Sequence, residues 1–477
     1  KISTRNPLLF LSCIFLCLGH LIRVFSYDYS ATTKCLAEPR RAHYGGGIIV
    51  NPELDHGIQG WNVFGHGAIR GDISKEGNGF IVAHNRTHPW DSMSQKVQIE
   101  EGKLYSFSAW FQVSKGSETI SIVLANSDGE LIRGGQVIAK HGCWSLLKGG
   151  ITANFSGLVE IFFETKNPAV DIWVDNISLQ PFTAEQWRAH QQKSIDKVRK
   201  SKVTLQVTYS NRTAVEGAKL SIKQAKSGFP FGCGMNFHIL ESTAYQNWFT
   251  SRFKFATFTN EMKWYTTETK QGIENYTLAD AMLNFAKDNG ISVRGHNILW
   301  DNPKEQPNWV KNLSPDDLRK AATQRIQSVV SRYAGQVIAW DVVNENLHFS
   351  FFEDNLGKNA SAEFYAAAYK LDRDTIMFMN EYNTIEYSKD MSATPDNYKK
   401  KMQELLSFPG TAGMKTGIGL QGHFGPYQPN IAYMRSSLDI LGSMRLPIWL
   451  TEVDVGRDPD QVILIRKLYC QVSRMYL

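Results

Sequence analysis

The chain has 477 residues, 42% hydrophobic and 21% charged, which excludes extensive disorder and is long for one core, so two domains plus connections are expected. Its formal net charge of +6 is mild over this length, and no dense Lys/Arg block suits a nucleic-acid groove. No His/Cys/Asp cluster has metal-ligand spacing, and Gly45-Gly46-Gly47 lacks the Lys-Ser/Thr of a phosphate-binding loop, so no metal or cofactor is expected.

Residues 1–26 carry Arg5 ahead of an apolar run from Leu8 to Leu18, with the small Ser26 just before Tyr27. That pattern predicts a secretory signal peptide, too short in its apolar part to span a bilayer comfortably. No later stretch is apolar for long enough to cross a membrane, so a soluble, secreted product of the extracellular space or cell wall is expected, most simply as a monomer. After signal removal Cys35, Cys143, Cys233 and Cys470 remain, and Cys35 with Cys143 is the pairing to test. Sequons at Asn85, Asn154, Asn176, Asn211, Asn275, Asn312 and Asn359 agree with a secretory route and a glycoprotein.

Residues 27–43 form an N-terminal segment. Between 44 and 181 short β-rich runs alternate with Gly, Asn and Asp turns: Phe80 to Ala83, Leu104 to Phe111, Thr119 to Leu124, Leu158 to Glu164 and Asp171 to Val174. Strands at this spacing, with no amphipathic helix between them, predict an antiparallel β-sandwich. Residues 182–225 read as a connector, with a polar helix from Phe182 to Ser201 and paired strands at Val203 to Thr208 and Ala218 to Lys223.

Across residues 226–477 the pattern changes to strand, helix, strand, which predicts a parallel (β/α) barrel. Ser314, Pro315, Asp316 and Asp317 supply the cap, first turn and dipole partners of one helix, and Leu318, Ala322, Ile326, Val329 and Tyr333 its apolar stripe. The run after it, Val337 to Asn344, ends in Glu345, and the run near Pro447 ends in Glu452. Two carboxylates at facing strand ends suit the hydrolysis of a glycosidic bond, where one carboxylic acid protonates the leaving oxygen and one carboxylate attacks. Polar residues also close the runs that end at Asn260, His296, Asn380 and His423, as on a barrel's catalytic face.

Trp340 to Glu345, Asn380 to Asn383, Gly417 to His423 and Leu450 to Asp454, together with Asn260 to Trp264 and Arg294 to Trp300, resemble the strand-end motifs of glycoside hydrolase family 10, the retaining endo-1,4-β-xylanases. The resemblance implies Glu345 as acid/base and Glu452 as nucleophile, with Asn260, Lys263, His296, Trp300, Asn344, Tyr382, Gln421 and His423 lining the sugar subsites. Asn51 to Trp61 and Asp171 to Ile177 resemble a jelly-roll carbohydrate-binding module of family 22, and its ligand residues fall on Arg70, Trp90 and Glu164. Gly134-Gly135-Gln136 stands where some members carry an aromatic. The implied substrate is xylan or a related β-1,4-linked wall polysaccharide, tethered by the module.

Thr259 and Asp301 depart from the family pattern, where a Glu and a His are usual. The pattern stops near Val455 after seven candidate strands, with Gln461 to Leu477 at helical spacing, so a barrel lacking its eighth strand and truncated at its carboxyl end is expected. Such a sheet keeps two open edges. Two other readings stay open at this level: a xylan-binding protein whose incomplete barrel impairs catalysis, and a β-1,4-glucanase or transglycosylase on the same framework.

Overall fold

In the computed structural model, residues 26–32, 34–223, 229–457, 461 and 463 are described. The expected signal peptide falls outside them except for Ser26, and so does most of the predicted helix from Gln461 to Leu477. None of the helices among the described residues is long and apolar enough to cross a membrane.

Ten strands build the N-terminal sandwich: β1 (Asn62–Phe64), β2 (Ala68–Ile73), β3 (Gly79–His84), β4 (Ser92–Ile99), β5 (Leu104–Val113), β6 (Ser117–Asn126), β7 (Leu131–Lys140), β8 (Ser145–Thr152), β9 (Gly157–Glu164) and β10 (Ile172–Phe182). Two five-stranded antiparallel sheets, ordered β1-β4-β9-β6-β7 and β2-β3-β10-β5-β8, face each other. Alternation sends Val159, Ile161 and Phe163 of β9 inward against Phe107, Phe111 and Ile172, and their neighbours outward. Strand β5 is buried along its whole length because its outer face is covered too, Trp110 packing with Phe80, Val82 and Trp144. The Cys35–Cys143 disulfide ties the N-terminal segment to the sandwich beside the Leu36–Trp144 bridge.

Helix α1 (Ala184–Val198) follows, opened by a reciprocal Thr183/Gln186 capping box. The expected strands after it do not form: Thr208 and Ala214 make an isolated bridge, while Val203, Leu205, Leu220 and Ile222 stay exposed. Alternation alone misleads there because an unsupported two-stranded ribbon has no face to bury against.

The third sheet has seven strands among the described residues, all parallel and in sequence order: β11 (Gly232–Met235), β12 (Phe255–Phe258), β13 (Ser292–Gly295), β14 (Ala339–Asp341), β15 (Ile376–Glu381), β16 (Thr416–Leu420) and β17 (Ile448–Leu450). Helices α2 (Thr243–Thr250), α3 (Thr277–Asp288), α4 (Pro315–Tyr333), α5 (Ala360–Leu371), α6 (Pro395–Ser407) and α7 (Ile431–Gly442) alternate with the strands. Helix α4 follows its sequence grammar, with Ser314 Oγ accepting from Asp317 N and the predicted apolar stripe buried. Inside the curl, Trp340 is fully buried and lies against Gly295, where a Cβ would come within 2.2 Å of the indole.

Sandwich and barrel are in direct contact. Helix α7 packs on β8, where Gly150 has no room for a Cβ against Ala432. Asn430 accepts from Thr152 N and donates to the Gly150 carbonyl. Beneath them Asp439, buried, collects Lys148 Nζ (2.7 Å), the Tyr27 hydroxyl (2.9 Å) and Arg435 Nε (2.9 Å). Lys148 also donates to the carbonyls of Asp28 and Ser30, which stitches the N-terminal segment into the junction.

Candidate active site

Each predicted barrel residue stands at or just beyond the carboxyl end of a parallel strand, the end where barrel enzymes place their chemistry. Glu345 follows Asn344, four residues beyond β14. Its backbone is held at φ +59°, and its N–H donates to the Asn380 carbonyl. Such a left-handed conformation is costly for Glu and aims the side chain back over the sheet. There Trp300 Nε1 donates to Glu345 Oε2 (2.8 Å) and Gln421 Nε2 to Oε1 (3.1 Å), two neutral donors on one carboxyl group.

Glu452 follows β17 and meets a different environment. Asn380 Nδ2 donates to Glu452 Oε1 (2.8 Å), and His423 Nε2 lies 3.6 Å from Oε2. Burial alone would raise this carboxyl, yet the charge of His296, the nearby His423 imidazole, the bond from Asn380 and the charge of Arg294 outweigh it and hold it at about 2. His423 is in turn raised to about 9, chiefly by the Glu452 carboxylate against the opposing effect of burial, with Asp454 3.1 Å from its other nitrogen. Asn380 is itself fixed by Thr451 Oγ1 (2.6 Å) and also donates to Asn344 Oδ1.

Behind this pair, buried Asp341 takes the Arg294 guanidinium in a two-pronged contact and His296 Nδ1 at 2.8 Å. Lys263 lies 4.5 Å from the Trp300 ring centre and 3.3 Å from Asn260 Oδ1, which also accepts from the Tyr265 hydroxyl. Desolvation lowers the Lys263 ammonium from its ordinary range, with the negative charge of Glu452 first among the opposing influences. A cavity of about 620 Å³ runs from Lys263, His296, His423 and Glu452 to the edges of β11 and β17. Most of its lining is apolar and comes from β11, β12 and β17 and the residues flanking them, and Glu345 lies outside it.

The structure therefore brings Asn260, Lys263, His296, Trp300, Asn344, Gln421 and His423 into one contact network around Glu345 and Glu452. Tyr382 joins it through the loop after β15, where its phenol is raised to about 12 by burial first and the Glu345 charge second. Thr259 lines the cavity wall. Asp301, one residue past Trp300, is instead fully buried, accepts from Asn346 Nδ2 (2.6 Å) and Phe352 N (2.9 Å), and fixes the segment after Glu345. Sequence reasoning also missed the cluster of His348, Glu381 and Asp390 beside Tyr382. Its members are up to 42 residues apart and carry no local signal.

In the sandwich the three predicted ligand residues do not gather. Trp90, 43% exposed, sits on the β3–β4 loop stacked on His88, and that loop accepts a bond from Thr165, next to Glu164. Glu164 points away from the core on the first sheet and is ion-paired to Arg133. Arg70 lies on β2 in the second sheet, opposite Val82 of the outer cluster, with Asp72 as its ion partner at 3.8 Å. Among the described residues no cluster of three or more His, Cys, Asp or Glu could hold a metal ion.

The sequence profile described as "Glycosyl hydrolase family 10" matches residues 220–476, and one described as "Carbohydrate binding domain" matches residues 46–169. The chain is 49% identical over 461 residues to the Arabidopsis thaliana protein named Endo-1,4-beta-xylanase 5-like, covering 95% of this chain and 77% of that one. It is 47% identical over 465 residues to Endo-1,4-beta-xylanase 5 of the same plant, with coverages of 97% and 78%. For Arabidopsis Endo-1,4-beta-xylanase 4 the identity is 46% over 460 residues, with coverages of 95% and 75%.

Proposed function

This chain belongs to glycosyl hydrolase family 10, and from that premise we propose that it cleaves internal β-1,4-xylosidic bonds of xylan by a retaining double displacement. One observation carries the reading: Glu452 is surrounded by cationic and amide groups that keep it ionised, whereas the hydrogen bonds to Glu345 come from the neutral N–H groups of Trp300 and Gln421. Glu452 is thus the nucleophile. Glu345 protonates the leaving oxygen and then, once ionised, takes a proton from the water that releases the glycosyl-enzyme. Gln421, Asn344 and Asn380 fix the reacting groups, while Lys263, Asn260 and His296 offer donors to ring hydroxyls and Trp300 a wall.

Every residue in this assignment comes from strands β12 to β17 and the loops that follow them. The sandwich, read as a jelly-roll by its two five-stranded antiparallel sheets, holds the polysaccharide, with Trp90 and Glu164 as its contact residues. The Arg133–Glu164 pair must open or be shared when a glycan binds there. Secretion to the cell wall is supported by the Cys35–Cys143 disulfide, a bond that persists in oxidising compartments.

Glu345→Gln and Glu452→Gln should each lower turnover of soluble xylan by at least about 10²-fold while leaving retention on xylan intact. Proton NMR of the first products should show the β-anomer. Wild-type turnover in either mutant, or α-product released first, overturns the mechanism. Preferential release from cellulose instead of xylan moves the specificity to a β-1,4-glucanase.

A further inference from the structure

His348 lies three residues past Glu345, on the segment that turns away from the catalytic strand. Its Nδ1 is 2.6 Å from Glu381 Oε1 and its Nε2 is 2.8 Å from Asp390 Oδ2. Glu381 is completely buried, which raises its carboxyl to about 7, and it accepts from Leu347 N (2.8 Å) and Tyr382 N (3.0 Å), so once ionised it is an acceptor on both oxygens. Asp390 likewise accepts from Asn383 Nδ2 and Ser392 N. An imidazole facing two acceptors makes both bonds only with a proton on each nitrogen, so the geometry calls for the imidazolium. Its flat face lies against the Tyr382 ring, with centroids 3.7 Å apart and planes 7° apart.

We propose that His348 is a positioning residue for the glycosidase: clamped between Glu381 and Asp390, it holds the Tyr382 ring in the cleft. The clamp joins two loops that would otherwise be independent, the one after Glu345 and the one from Glu381 to Asp390. Tyr382 alone has one covalent anchor and two rotatable side-chain bonds. Stacked on a ring that is itself held at both nitrogens, it loses that freedom before substrate arrives. The groups facing His348 are Glu381, Asp390 and the Tyr382 phenol, and Glu345 lies beyond the phenol.

The inference rests on the xylanase reading, and its test separates the two. Full-length wild type, His348→Gln, Tyr382→Ala and the double variant are compared on soluble xylan and on short xylo-oligosaccharides. Removing the stack should raise KM by up to about tenfold with kcat within about threefold of wild type, and the double variant should be no worse than Tyr382→Ala alone. Additive losses, or unchanged KM in His348→Gln, overturn the positioning role. Where His348→Gln folds poorly because the Glu381 charge is stranded, His348→Gln/Glu381→Gln removes that charge, and its KM should stay raised although its melting temperature recovers. A wild type that releases no sugar defeats the functional reading alone. The clamp is then decided by imidazole ¹⁵N shifts, which should show both His348 nitrogens protonated at neutral pH and overturn it if only one is.

Discussion

At the scale of single residues, the site separates two carboxyl groups by the charge of their neighbours. Glu452 faces His296, Arg294 and His423 and ionises far below its ordinary value of 4.5, while His423 and His348 are raised from 6.5 to about 9. For His348 burial works against the charge, and the bonds to Glu381 and Asp390 overcome it. The signs then fix a pH window. A histidine raised in the folded state contributes stability that is fully present below about 6.5 and is lost as pH rises through about 9. Glu452, lowered, contributes stability present above about 4.5 and lost as pH falls towards 2. The melting temperature should therefore decline between pH 6.5 and 9.5, and His348→Gln should flatten that decline. An unchanged alkaline slope in the variant removes His348 from the explanation.

At the scale of elements, the strand ends were the most legible part of the chain, because a buried run that stops on a polar residue is visible without neighbours. Glu345, Glu452, His296 and His423 are read that way, whereas Gln421 comes only from the family resemblance. The sandwich was half legible: Phe80 to Ala83 and Leu158 to Glu164 are β-rich apolar runs, but β7 and β8 carry Gly134-Gly135 and Gly149-Gly150, which read as turns. Those glycines are there because the strands approach closely, a Cβ at Gly149 falling 2.2 Å from the Gly134 carbonyl oxygen. Val203 to Thr208 failed for the opposite reason, having alternation and no partner sheet. Which sheet Arg70 joins was not legible, because strand pairing, unlike residue type, is set by partners far away in sequence. Gly295 makes the same point inside the barrel. Gly295→Ala would drive a methyl group into the Trp340 ring and should cost about 1–3 kcal/mol, seen as a lower urea midpoint at unchanged slope. A wild-type midpoint would mean that Trp340 has room to shift.

At the scale of the whole molecule, Asp439 is an anion shared by Lys148, Arg435 and the Tyr27 hydroxyl at the junction of sandwich and barrel. Burying charged groups is tolerable while they neutralise one another and expensive once a partner is gone. Asp439→Asn leaves two buried cations facing an amide, so a loss of about 3–5 kcal/mol is expected. Scanning calorimetry should then resolve separate sandwich and barrel transitions where the wild type gives one. A single transition at the wild-type temperature would show that the junction is held by apolar packing alone. None of this was legible in sequence: Lys148 and Asp439 are 291 residues apart, and each alone reads as a surface charge.

That junction continues at the rim of the cleft, where Ser388, on the loop held by Asp390, donates to the Arg133 carbonyl of the sandwich (2.7 Å). A module on a flexible leash searches a volume, and its gain is an average over linker lengths. A module bolted to the barrel wall acts instead as a fixed gauge. A glycan gripped by the sandwich would meet the catalytic pair at one set offset along its length, so the spacing between anchor point and cut becomes a property of the fold.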